Sequence, residues 1–152
     1  MLTFQDGRLF AQGACSCVIG PLTSSGRDNR ITVKIIIESI EEKAVVDTGG
    51  VYLVCSAQVS DFLRGLLTDE LQRATINIRG GSIKGGLHRL NVTLEADDER
   101  GRSLDLEVTA FLPDPGSIPP DLPTILGLHG CLEHIRFAVD PWPQSTFYFG
   151  SI

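Results

Sequence analysis

The sequence predicts an all-β protein with one or two short helices. Glycine (16) and proline (8) are plentiful among the 152 residues, and the helix-forming set of Ala, Leu, Glu and Lys is not dominant. That balance favours short strands joined by turns over a helical bundle. Several runs alternate apolar and polar residues with a period of two, while helical spacing is confined to Ala57–Leu67 and a short stretch around Leu128–His134. The length suits one domain spanning residues 1–152, and no internal repeat is visible.

Along the chain, residues 1–30 carry Gly7, Gly13, Gly20, Pro21 and a polar cluster at Ser24–Asn29, and read as strand fragments and loops, an N-terminal strand or extension. Arg30–Ile37 is a strand, with Ile31, Val33, Ile35 and Ile37 on one apolar face. Glu38–Lys43 is a charged hairpin turn. Ala44-Val45-Val46 then runs as a buried strand straight into Asp47-Thr48-Gly49-Gly50, and Val51–Cys55 returns as an apolar strand. Ser56 is a natural N-cap for Ala57–Leu67, whose Val59, Phe62, Leu63 and Leu66 share a helical face.

Thr75–Arg79 and Leu87–Glu95 form a long hairpin around a glycine-rich, mobile tip at Gly80–Gly86. Asp97–Arg102 is a charged, solvated turn into the strand Ser103–Leu112. Pro113–Pro123 is a rigid surface connector. Ile125-Leu126-Gly127 leads into the short helix at Leu128–His134, and the strands Arg136–Asp140 and Thr146–Phe149 end the chain around Pro-Trp-Pro. Trp142 is expected as a core or dimer-interface anchor.

Charge and composition exclude several functions. A net charge of −6 with basic residues scattered singly (Arg27, Arg30, Lys34, Arg64, Arg79, Lys84) argues against nucleic acid as a partner. No run approaches the ~20 apolar residues of a membrane span, and Gln5, Asp6, Arg8 and Gln12 interrupt the N-terminus where a signal peptide would need an apolar stretch. Cys15, Cys17, Cys55 and Cys131, without secretory context, read as reduced thiols of a cytoplasmic protein. His129 and His134 are five apart and do not share a helical face, so no metal site is expected. No Ser or Cys sits in a recognisable nucleophile frame beside a histidine.

The junction at Asp47 carries the chemistry. Strand, Asp47-Thr48-Gly49, returning strand, glycine-tipped hairpin, two further strands, then Ile125-Leu126-Gly127 and a short helix resembles the retropepsin-like aspartic proteases over about residues 30–150. The resemblance implies a small closed β-barrel-like acid protease fold. It also implies a peptide hydrolase without cofactor or metal, acting on a peptide or protein substrate.

By the same resemblance, Asp47 is the catalytic carboxylate, Thr48 bonds across a dimer, and the Gly49 N–H serves the carboxylate. Gly80, Gly81, Ser82, Ile83, Lys84, Gly85 and Gly86 form a flap over the substrate, while Ile125, Leu126 and Gly127 pack under the Asp47 loop. The Thr146–Phe149 strand is a candidate for an intersubunit sheet. Amide hydrolysis with neither a metal nor a covalent nucleophile needs one carboxylate as base and one carboxylic acid. The chain has one Asp-Thr-Gly, so a homodimer must supply the second. A catalytically silent module that keeps the fold for dimerisation or peptide binding is the alternative. Gly50 stands where the family usually has Ala or Ser, which loosens the loop.

Overall fold

Ten strands and one α-helix, described over Met1–Ile152 in a computed structural model, build a single sheet that closes on itself. In chain order they are β1 (Gly13–Gly20), β2 (Arg30–Ile37), β3 (Ile40–Val51), β4 (Leu53–Val54), α1 (Ala57–Arg64), β5 (Gln72–Ile78), β6 (Gly81–Leu94), β7 (Leu104–Pro113), β8 (Thr124–His129), β9 (Ile135–Asp140) and β10 (Thr146–Ser151). Neighbours in the sheet run β5-β6-β7-β4-β8-β3-β2-β1-β10-β9.

A further pairing of β2 with β6, through Ile36↔Thr93 and Ile37↔Val92, joins the two flanks into a six-stranded barrel. The all-β, closed-barrel expectation is therefore met. β6 is long enough for two tasks: its C-terminal half closes the barrel, and its N-terminal half extends outward to pair with β5.

The barrel core follows from alternation. Val33, Ile35 and Ile37 of β2, Leu90, Val92 and Leu94 of β6, Val108 of β7 and Leu126 of β8 point inward and are buried. A smaller cluster of Val54, Ile76, Ile83, Leu87, Phe111 and Leu122 sits beneath the β5–β6 hairpin, so that hairpin rests on apolar packing of its own. Ser56 caps α1, its Oγ accepting from the Val59 N–H at 3.3 Å. Val59 and Leu63 are buried, whereas Phe62 and Leu66 stay exposed, so the i, i+4 row that meets the barrel is narrower than the sequence suggests.

Several expectations are corrected. The Glu38–Lys43 turn shrinks to Glu38-Ser39, both at positive φ, because β2 and β3 stay paired as far as Ile37↔Ile40. Leu128–His134 is not an α-helix: β8 continues to His129, Gly130 takes a left-handed φ of 75°, and only Leu132–His134 forms a 3₁₀ turn. The Asp97–Arg102 turn is not merely solvated, since Asp97 Oδ2 accepts from the Ser16 N–H at 2.8 Å and the Ser16 hydroxyl at 2.7 Å, fastening β1. Trp142 is 79% exposed and belongs to no core.

The Thr146–Phe149 expectation also changes. β10 is bonded on both edges within its own chain, to β1 through Gly13↔Phe149 and to β9 through Phe147↔Val139, so it has no free edge for a partner's strand. Residues 1–12 hold only a small bridge, Thr3↔Leu9, ahead of β1.

Candidate active site

The Asp47 loop is built by one strand inserted between two. β3 pairs in parallel with one edge of β8, and β4 pairs antiparallel with the other, so β8 lies between the strands that flank Asp47-Thr48-Gly49. Asp47 is opposite Gly127, the next pair is Val51↔His129, and the register slips between them. Thr48, Gly49 and Gly50 are the slack of that slip, lifted off the sheet as a short arch.

Two hydrogen bonds pin the arch at its far end. The Gly127 N–H donates to the Tyr52 carbonyl at 2.8 Å, and the Tyr52 N–H donates to the His129 carbonyl at 2.7 Å. Gly127 makes the approach possible: a Cβ there would lie 2.5 Å from the Tyr52 oxygen and 2.9 Å from the Gly50 carbonyl carbon. This is the physical content of the Ile125-Leu126-Gly127 signal. Leu126 anchors the strand in the barrel core, and Ile125 does more than support, because it also lines the cleft described below.

Asp47, Thr48 and Gly49 are exposed at the crest of the arch. The Gly49 N–H donates to Asp47 Oδ1 at 3.0 Å and orients the carboxylate. Oδ2 has no partner in the chain, and neither has the Thr48 hydroxyl. Behind the arch, the Glu133 carboxylate accepts from the Gly130 N–H at 2.6 Å and lies 3.3 Å from His129 Nδ1. The Gly130 bond is the main cause that lowers the Glu133 pKa, with the neighbouring histidines adding to it.

Asp47 opens onto a cleft of about 480 Å³. Val45, Gly50 and Val51 share its floor with Asp47, Ile76 to Ile78 of β5 and Arg79 of the hairpin tip cover it, and the loop from Leu22 to Asp28 with Arg30 at the start of β2 walls one side.

The hairpin corrects the expected flap. Its tip is Arg79-Gly80, both at positive φ, and Gly81 already pairs with Ile78. Ser82, Ile83, Lys84, Gly85 and Gly86 are strand residues, and none of Gly80–Gly86 lines the cleft. Gly85 serves close packing rather than mobility, whereas the contact at Gly86 is with the movable end of the Glu70 side chain. A Cβ on Gly85 would fall 2.7 Å from the Phe111 ring and against the Leu112 carbonyl, and one on Gly86 would strike the Glu70 carboxylate. The cleft residues that the sequence did not single out, Asn77, Arg79, Leu22 and Arg27 among them, lie on a strand edge and in a loop. The covering strand itself was marked in the sequence as the Thr75–Arg79 arm of the long hairpin.

No protein-family model matches the sequence, and no curated protein matches it. Among solved structures, the chain is similar to a retropepsin-like aspartic protease from Rickettsia conorii. The identity is 16% and the TM-score 0.46, over 90% of this chain and 98% of that one. It is also similar to EIAV protease in complex with the inhibitor HBY-793, at 18% identity and a TM-score of 0.40, over 69% of this chain and 88% of that one. These are likenesses of fold.

Proposed function

We propose that the chain is an aspartic endopeptidase that acts as a homodimer, with Asp47 of each subunit forming the catalytic pair. One observation carries the reading: Asp47 stands exposed on a pinned arch, oriented by the Gly49 N–H through one oxygen and unpaired at the other, at the floor of a peptide-sized cleft. A single carboxylate cannot be base and acid at once. Two held about 3 Å apart cannot both ionise, so they share a proton and divide the roles.

In this mechanism Asp47 takes a proton from the lytic water while Asp47 of the partner subunit, protonated, polarises the scissile carbonyl. The tetrahedral intermediate then collapses as a proton passes to the leaving amine. Thr48, whose hydroxyl is unused within the chain, is the residue to bond across the two-fold axis. The substrate lies extended between the arch and β5, whose outer edge is unpaired and offers strand-like hydrogen bonds. The β5–β6 hairpin covers it through β5 and the Arg79-Gly80 tip. No helix is long and apolar enough to cross a membrane, and the four buried free cysteines fit a reducing, cytoplasmic setting.

The test is a peptide-pool digest read by mass spectrometry from about pH 4 to 7, the range of a shared-proton pair, with wild type and Asp47→Ala side by side. Cleavage by wild type that disappears in the variant is the expected result. A folded dimer that cuts nothing at any pH would shift the reading to a silent dimerisation or peptide-binding module.

A further inference from the structure

Charge inside the cleft runs against the charge of the molecule. The protein carries −6 overall, yet Arg27, Arg30 and Arg79 line the cleft against Asp28 and Asp47. Two of the three arginines are engaged: Arg30 Nη2 is 3.6 Å from Asp28 Oδ2, and Arg79 Nη1 is 3.5 Å from Asp121 Oδ2. Arg27 enters no ion pair and no hydrogen bond within the chain. Its guanidinium is a planar fork of donors that suits a carboxylate, always charged and less strongly hydrated than an ammonium. Much of the remaining wall is apolar, with Val45, Val54, Ile76, Ile78, Leu122 and Ile125.

Building on the endopeptidase reading, we propose that Arg27 is a specificity-determining residue and that the preferred substrate is an extended peptide with an apolar side chain next to the scissile bond and a Glu or Asp side chain seated on Arg27. The apolar wall takes up the first side chain by burial. The acidic one gains a charge-assisted, bidentate contact with the single cation in the cleft that has no partner of its own. Because Arg27 lies on an exposed loop, the preference is moderate and weakens with salt.

The test uses acetylated and amidated decapeptides, so that a carboxylate can come only from a side chain. Each has a central apolar pair and Glu, Gln or Lys at one flanking position. Binding is measured by fluorescence anisotropy to the full-length Asp47→Asn protein, and cleavage with wild type. At the responsive position Glu peptides bind about three- to tenfold more tightly than Gln peptides, with Lys weakest. The difference shrinks between about 50 and 500 mM salt. Arg27→Gln abolishes the Glu-over-Gln difference and Arg27→Glu reverses the order in favour of Lys.

A Glu preference that survives Arg27→Gln, or no charge preference at all, overturns the inference. Cleavage without charge preference leaves the endopeptidase reading standing and removes this one. An Arg27-dependent preference without cleavage does the reverse. Peptides neither bound nor cut overturn both.

Discussion

At Gly127 a hydrogen atom in place of a methyl group decides whether the Asp47 arch can lie on β8. The tightest contact a Cβ would make there is with backbone, which cannot rotate away. Gly127→Ala is accordingly expected to cost about 1–3 kcal/mol in urea unfolding and to lower peptide cleavage by displacing Asp47. Gly50 is the informative contrast. A Cβ there meets nothing nearer than 3.4 Å, so Gly50→Ala stays within about 0.5 kcal/mol of wild type in the same assay. The glycine that stands where the retropepsin-like proteases usually carry Ala or Ser is thus the permissive one. Asp47-Thr48-Gly49 and Ile125-Leu126-Gly127 were legible in sequence because each is a contiguous run with strict local demands. Arg27 was not, because a loop residue's direction is set by chain elements that leave no period around it.

For the elements, alternation identified β2 at its observed bounds but β6 only from Leu87, where the strand begins at Gly81, and the N-cap Ser56 placed the start of α1. The glycine tract was where local reading failed. Four glycines in seven residues suggest a flexible tip, but only Gly80 occupies the turn, and Gly85 is glycine because the Leu112 backbone and the Phe111 ring sit where a Cβ would be. Nothing in the local sequence encodes that approach. A paired substitution separates the two causes: Gly85→Ala lowers the free energy of urea unfolding by about 1–3 kcal/mol, whereas Gly81→Ala, with 3.7 Å of clearance, is tolerated. Equal effects at the two sites would mean that flexibility, not space, is the reason for the tract. The Leu128–His134 stretch failed similarly, its helical appearance overridden by the pairing of Val51 with His129 and the left-handed turn at Gly130.

Across the whole molecule, the closed barrel was implied by family resemblance and is present, but the β1–β10 pairing had no local signature because its partners stand more than a hundred residues apart. The interior also sets an alkaline limit. Burial pushes the thiols of Cys15, Cys55 and Cys131 up from 9.0 to about 12. Below pH 9 folded and unfolded chains both hold these protons, and the contribution is complete. Between 9 and about 12 only the unfolded chain releases them, so stability falls as pH rises, by about 1.4 kcal/mol per pH unit for each thiol. Urea titrations from pH 8 to 11 measure the slope, and replacing Cys55 and Cys131 with Ala is expected to remove most of it.

The closure of β1 onto β10 also fixes when the protein can exist. Cys15 meets Phe147, and Gly13 meets Phe149. At about 5–20 residues per second, the first strand waits roughly 7–26 s after its own synthesis for its partner to be made. Until then the nascent chain holds β1 and the barrel beside it with an apolar edge unpaired. A ribosome-bound chain stalled anywhere before β10 therefore lacks the completed sheet.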